Sequence, residues 1–449
     1  MLLLSCAKPQ SPDWQSAGGP APLSFPEGHR YSADELVEIA LRRNAALDVA
    51  RYEAEAVRGL VDQVKALWLP VIRYGFGVVV FDNDISYQVR ALRAINVNVP
   101  ITGNVNLLGE FSVGQILFTS GKRTSGLRQA ELFARIKQLE VVHVRDGVAL
   151  DVSNYYLLVL LTTDIDRVLD ETVRRLRVFR QVSQELSQRG SQRSNRLDML
   201  KAEYFIEQVE QGRVAAQAGR FEAFEALRQA AGLQRSEPMP LAAAALPPAP
   251  GAEEWLSVYA QIVKGFANRP ELRQVDYLQK LRERQVEFAK AGYGPNVFFL
   301  GGGVQSVDNV NSIIDQDFLF ASLFVDLPIY DPAQKGRLRE ALANRNAADA
   351  FQRQIEELIT LEIEVTSVDA QKALANVLKA ARAQATGAEH YQAARQAFSR
   401  ELIDGQDLVT AIGLDSLARI QYLQAVYEYH FARAKLKRVT AEREERYGY

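Results

Sequence analysis

Few residues in this chain have the type and spacing that side-chain chemistry needs. Gly121-Lys122 invites a phosphate-binding loop, but six residues separate it from Gly114 where four are required. Arg123 also replaces the hydroxyl residue that such a loop uses to hold magnesium. Glu428-Tyr429-His430 and Glu389-His390 lack the second histidine one turn away that a zinc-protease helix requires. Three methionines, Met1 included, do not line a copper path. Gly301-Gly302-Gly303 lacks the spacing of a dinucleotide fingerprint, and in a strand such glycines serve close packing or curvature. These residues imply neither an enzyme nor a cofactor or metal centre.

The composition narrows the class further. The chain has 449 residues, 47% hydrophobic and 24% charged, enough to bury a large core, so wholesale disorder is excluded. Its 53 Lys and Arg against 55 Asp and Glu give a net charge of −2, which offers no electrostatic case for nucleic acid as a partner. No stretch reaches the roughly 18 continuous uncharged residues expected of a transmembrane helix, and the run Pro238–Ala252 is interrupted by prolines. Helical spanning is therefore not expected. The test does not address a β-barrel, whose strands are short and alternate.

The single cysteine, Cys6, rules out a disulfide framework. Leu3-Leu4-Ser5-Cys6 resembles the cleavage box of a bacterial lipoprotein signal peptide, in which the cysteine is lipidated. Residues 1–30 are thus read as a signal remnant and tether, with the prolines and Gly18-Gly19 of Pro9–Pro26 keeping the segment extended.

The elements behind these residues follow from proline placement. No proline lies between Pro100 and Pro238 or after Pro332, and both windows carry helical periodicity. Val141, Val144, Val148, Val152, Tyr155 and Val159 form one stripe; Phe351, Ile355, Leu358, Leu361, Val365 and Val368 form another. A helix over Thr119–Gly190 would span on the order of 100 Å and must bury its stripe against other long helices. Leu197–Gly232 and the stripe from Leu417 through Ile420, Leu423, Tyr427 and Phe431 to Ala434 supply them. Shorter helices are expected at Ala33–Leu69 and Glu253–Ala291.

Near Pro70 and Pro295 the pattern turns strand-like. Val71–Phe81, Leu108–Phe118, Asn296–Ser306 and Phe318–Pro328 are each 11 residues long, close to the length of a tilted membrane strand (about 9–11). Phe318, Phe320 and Phe324 share one side of the last strand and are assigned to the lipid. The order helix, strand, loop, strand, long helix, helix occurs twice, and the spans Phe118–Asp198 and Tyr330–Asp407 agree within three residues. The chain is thus divided into a first repeat at 31–233, a Pro-rich linker at 234–252 and a second repeat at 253–449. Four strands cannot close a barrel, since the smallest membrane barrels have about eight; three chains would supply twelve.

Several segments carry a resemblance to a known family. Arg43-Asn44-Ala45-Ala46-Leu47 and Asn268-Arg269-Pro270-Glu271-Leu272 resemble paired Asn-Pro-x-Leu openings. Ser112-Val113-Gly114-Gln115-Ile116-Leu117-Phe118-Thr119-Ser120-Gly121-Lys122-Arg123 resembles a strand-to-helix crossing. Arg189-Gly190 followed by Leu197-Asp198-Met199-Leu200-Lys201-Ala202 resembles one helical-hairpin motif, and Leu402-Ile403-Asp404-Gly405-Gln406-Asp407-Leu408-Val409-Thr410-Ala411 the other. Together they resemble the outer-membrane efflux (TolC-like) channel family over nearly the whole chain. The chain departs from the pattern in a longer spacing between Gly190 and Asp198, and in Glu401 where the family has glycine.

The resemblance implies a mostly α-helical homotrimer with a shared 12-stranded barrel in outer-membrane lipid and a long helical barrel in the periplasm. It implies a passive export duct with no chemistry of its own, fed by an inner-membrane pump through a periplasmic adaptor. The tip residues Arg189, Gly190, Leu197, Asp198, Leu402, Ile403 and Gly405 would meet the adaptor, and docking would dilate the tip. Asp407 maps onto the aperture carboxylate, with Thr410 where some members have a second aspartate. Three Asp407 carboxylates would form a cation-attracting ring; equally, Asp407 reads as the N-cap of a helix starting at Leu408, and Asp198 as a matching N-cap. The exit duct of a type I protein secretion system fits the same motifs. From a different class, a soluble coiled-coil scaffold fits the helical pattern.

Overall fold

The computed structural model describes residues 29–80, 86–91, 95–100, 105–188, 196–249, 257–308 and 318–442. Cys6, Arg189 and Gly190 lie outside the described residues. Element order in the first half is α1 (Ala33–Arg43), α2 (Ala45–Ala66), β1 (Val71–Val80), β2 (Ser86–Ala91), β3 (Ile95–Pro100), β4 (Val105–Phe118), α3 (Lys122–Gln188) and α4 (Arg196–Ala230). The second half has α5 (Val258–Asn268), α6 (Pro270–Lys290), β5 (Asn296–Asp308), β6 (Phe318–Asp326), α7 (Pro332–Ser399) and α8 (Gly405–Val439). Apart from β2 and β3, the second half repeats the first. The long helices α3 and α7 have 67 and 68 residues, and α4 and α8 have 35 each.

Three sequence expectations are corrected. Residues 82–107, read as a loop, contain the antiparallel hairpin β2–β3 and the start of β4. Asn96, Asn98 and Pro100 read as turn residues, although Ile95, Val97 and Val99 alternate with them as in a strand. Each shorter helix is in fact two. Asn44 leaves α1 with extended backbone (φ −72°, ψ 122°), and its Oδ1 accepts from the amides of Ala46 and Leu47 at the start of α2. Arg269 likewise leaves α5 with extended backbone (φ −65°, ψ 128°), held so by Pro270. Both breaks stand the same distance ahead of their first strand residues, Val71 and Asn296. Finally, by length and composition α3 is apolar enough to cross a membrane, with a window of mean hydropathy 1.3. Its apolar Val152, Tyr156, Val159 and Leu160 are buried in a protein core, and 39% of the window is buried in all.

The chain divides into two units. One comprises the described parts of Met1–Arg51, Glu140–Leu272 and Ile355–Tyr449. In it α1 buries Leu36, Val37, Ile39 and Ala40 against α3 and against Ala223 and Leu227 of α4. The inter-repeat segment is strapped over this core. Tyr31 bridges Leu241 in parallel, Met239 is buried, and the Leu246 amide donates to Asp164 Oδ2 at 2.8 Å. The α7 stripe is displaced from expectation: Leu358, Leu361, Val365 and Val368 are 50–57% exposed, while Ile359, Ile363, Ala370 and Val377 are buried. On α8 the buried face is Val409, Ile412, Val426, Tyr429 and Leu436, and Leu417 is exposed. A helix that is apolar on two flanks yields a periodicity that does not say which flank its own chain covers.

The other unit comprises the described parts of Tyr52–Leu139 and Arg273–Gln354. Its four-stranded sheet runs β1-β4-β5-β6, antiparallel throughout, with a bulge between Ile116 and Phe118. Val61 of α2 packs on Ala130 and Ala134 of α3, and Val286 and Ala289 of α6 on Ala341 of α7. Strand β4 passes to α3 through Ser120 (φ 51°) and Gly121 (φ 95°). Arg123 closes that turn: it donates to the Ile116 carbonyl at 2.7 Å and lies 4.4 Å over the Trp68 ring. The residue that argued against a phosphate loop thus has a structural role.

Candidate functional site

At the α7–α8 hairpin the chain leaves α7 through Glu401, whose φ of 57° is left-handed. The amides of Glu401 and Leu402 return to the carbonyls of Phe398 and Ala397, both at 2.9 Å, closing the helix end. This is the geometry glycine adopts without cost, which explains why a glycine suits the position. Leu402 points outward at 65% exposure, and Ile403 packs on the cluster of Phe179, Phe398, Leu408 and Ile412. Gly405 is buried; a Cβ there would stand 2.9 Å from the Phe179 ring and 3.0 Å from Asp198 Cγ. The α4 and α8 starts thus meet at Asp198 and Gly405. Lys201 Nζ joins them again by donating to Gln406 Oε1 at 2.5 Å.

Both N-cap readings are corrected. The N-cap of α8 is Asp404, and Asp407 is an exposed residue of its first turn. Asp198 lies inside α4 and is 5% exposed. A carboxylate in the first turn still interacts favourably with the helix dipole, so the composition suits either position. Thr410 is exposed and its hydroxyl donates to the Gln406 carbonyl at 2.8 Å. Leu197 is exposed at 66%.

Deeper in the same unit, α3 and α8 share an ionic clasp that no motif announced. Arg175 donates to Glu171 Oε1 and to Asp415 Oδ2, both at 2.5 Å, and Arg419 donates to Glu171 Oε2 at 2.7 Å. Arg175 also lies 4.4 Å over the Tyr391 ring of α7, and the Thr172 and Ser416 hydroxyls bond at 2.9 Å. Burial pushes the Glu171 carboxyl up, but Arg419 and Arg175 outweigh it and hold the group below the usual carboxylate value. Burial pushes Arg175 down, and Asp415 and Glu171 more than restore it, leaving it raised. The one legible signal was spacing: Glu171 and Arg175, like Asp415 and Arg419, stand four residues apart.

The sheet has two chemically different faces. The register puts Ile72, Tyr74 and Phe76 of β1 on one face with Phe111 and Val113 of β4, Phe299 of β5, and Leu319, Ala321, Leu323 and Val325 of β6. Among the described side chains only Gln115 is polar there, and Leu319 is 81% exposed. The opposite face carries Arg73, Glu110, Ser112, Ser322 and Asp326, and with them Phe298, Phe320 and Phe324. Phe320 and Phe324 therefore share the mixed face, not the apolar one. The Phe318 side chain lies outside the described residues. Among the described residues no group of three or more His, Cys, Asp or Glu side chains could hold a metal ion.

No protein-family model and no curated protein matches the chain. Solved structures do. The outer-membrane channel OprN superposes with a TM-score of 0.76 at 18% identity, covering 91% of this chain and 89% of its own. The Vibrio cholerae outer membrane protein VceC gives 0.73 at 15%, covering 91% and 95%. The open-state Neisseria gonorrhoeae MtrE outer membrane channel gives 0.73 at 15%, covering 91% and 88%. Over nearly its full length this chain has the fold of the outer-membrane channels.

Proposed function

We propose that three copies of this chain form a passive export duct of the outer membrane, the exit component of a tripartite efflux system. The two-faced sheet carries the reading. An exposed face of Ile, Tyr, Phe, Leu and Val beside a face bearing Arg73, Glu110 and Asp326 suits lipid on one side and water on the other. On this reading Ile72, Tyr74, Phe111, Leu319, Leu323 and Val325 meet lipid, and Phe320 and Phe324 turn to the lumen. Strands β1 and β6 end the four-stranded sheet, and three such sheets joined edge to edge would make a barrel of twelve. The unpaired α7 stripe of Leu358, Leu361, Val365 and Val368 is a surface for the adjacent copy.

The hairpin tip is the docking site for a periplasmic adaptor. Exposed Leu197 and Leu402 flank the tight Asp198–Gly405 contact, with Arg189 and Gly190 in the same region of the sequence, and an adaptor that favours a wider tip shifts the channel toward opening. Asp407 and Thr410 line the aperture, and Cys6 anchors the chain to the inner leaflet of the outer membrane. The lipoprotein-like cysteine favours drug or small-molecule efflux over protein secretion. The test is the native mass and detergent dependence of protein extracted from an outer-membrane fraction. A detergent-requiring trimer is expected; a monomer stable in plain buffer would sink the duct and leave the helical scaffold.

A further inference from the structure

Alternation in a membrane barrel sends apolar residues outward and polar residues inward, and the lower part of this sheet breaks the second half of that rule. On the mixed face, the rings of Phe298 and Phe324 stack with centroids 6.0 Å apart and an interplanar angle of 29°. Asp326 follows Phe324 on the same side of β6, about 7 Å further along the strand. Its Oδ2 accepts from Asn296 Nδ2 at 3.3 Å, and among the described residues no cation stands in ion-pair range of it. Phe298 keeps 37% of its surface exposed, so the pair is not a closed core.

An aromatic pair next to an exposed carboxylate complements one class of solute: an organic cation with an aromatic or bulky apolar body. The ring faces attract the positive centre and the apolar body together, and Asp326 adds charge of the opposite sign. We infer that Phe298, Phe324 and Asp326 form a weak station for lipophilic organic cations on the inner wall of the barrel, next to the strand ends that join the helices. The inference rests on the export-duct reading, which makes this face the lumen, and it specifies the cargo class that the duct passes. A station in a conduit must be weak, because binding that is too tight would hold the cargo.

The full chain, reconstituted in planar bilayers, tests this with tetraphenylphosphonium against tetraethylammonium, two ions of equal charge of which only the first carries aromatic rings. The wild type is expected to be blocked at lower concentrations of tetraphenylphosphonium. Phe324→Leu, which keeps apolar bulk, and Asp326→Asn, which keeps shape, should each raise that half-blocking concentration about threefold. Native mass in detergent verifies that each variant assembles. Equal block by the two ions in a conducting wild type, or unchanged block in both variants, overturns the station and leaves the duct standing. A protein that inserts but passes no current either as the wild type or as Asp407→Ala, with its aperture ring neutralised, overturns both.

Discussion

Arg175 Nη1 donates to Asp415 Oδ2 across 2.5 Å while its guanidinium lies 4.4 Å over Tyr391, so one side chain of α3 ties α8 and α7 together. Asp415 is only 2% exposed, and Arg175 is its ion-pair partner. Arg175→Ala leaves a buried carboxylate uncompensated and is expected to cost about 3 kcal/mol, seen as a lowered melting temperature in detergent. Replacing both residues, Arg175→Met with Asp415→Leu, should recover most of the loss. A double variant as unstable as the single one would show that the clasp matters for more than charge compensation.

Two left-handed positions make opposite expectations. Gly232 ends α4 at φ 68°, and a Cβ there would stand 2.5 Å from the Arg43 carbonyl oxygen, so Gly232→Ala should destabilise by roughly 2 kcal/mol or more. Glu401 has the same backbone hand with a side chain, and Glu401→Gly should stabilise by about 1 kcal/mol. Thermal unfolding of the two variants beside the wild type gives both signs in one experiment.

Acid should loosen the clasp in a defined window. Glu171 is held below its unfolded value, near about 4.3, so its contribution is full above that pH and is lost as pH falls through the folded value. Melting temperatures recorded from pH 7 down to 3 should fall less steeply below about pH 4.3 in Glu171→Gln than in the wild type. Parallel curves would remove Glu171 from the acid response.

The two sheet faces should respond differently to charge. Leu323→Arg puts a guanidinium on the apolar face, at a cost of about 2–4 kcal/mol near the bilayer midplane, and is expected to block outer-membrane assembly. Phe320→Arg, three residues back along β6 on the opposite face, should assemble. Trimer yield from membrane fractions measures both, and the reverse pattern would exchange lipid and lumen.

At the aperture, Asp407→Ala should raise single-channel conductance or weaken cation preference in planar bilayers, as expected when a ring of carboxylates is neutralised. No change in either would remove Asp407 from the gate.

The repeated element order and the four strands of the larger sheet were legible in the sequence, though β2 and β3 were not, because proline placement and side-chain periodicity are local properties. Pro70 and Pro295 mark where helices give way to strands, and the Asn44 and Arg269 segments fall on matching helix breaks. The helical-hairpin motifs led to Asp198, Gly405 and Asp407, although their helix-start positions differ from the N-caps expected. What only the tertiary structure decided is which flank of each element its own chain covers. Leu358, Leu361, Val365 and Val368 have the spacing of a core stripe and yet stay exposed, and Phe320 and Phe324 alternate like a membrane face and yet share their side of β6 with Ser322 and Asp326. Periodicity assigns residues to a common face but carries no information about what lies opposite it. The Arg175–Asp415 clasp was hidden for a related reason: its partners are 240 residues apart, and only the packing of α3 on α8 brings them together.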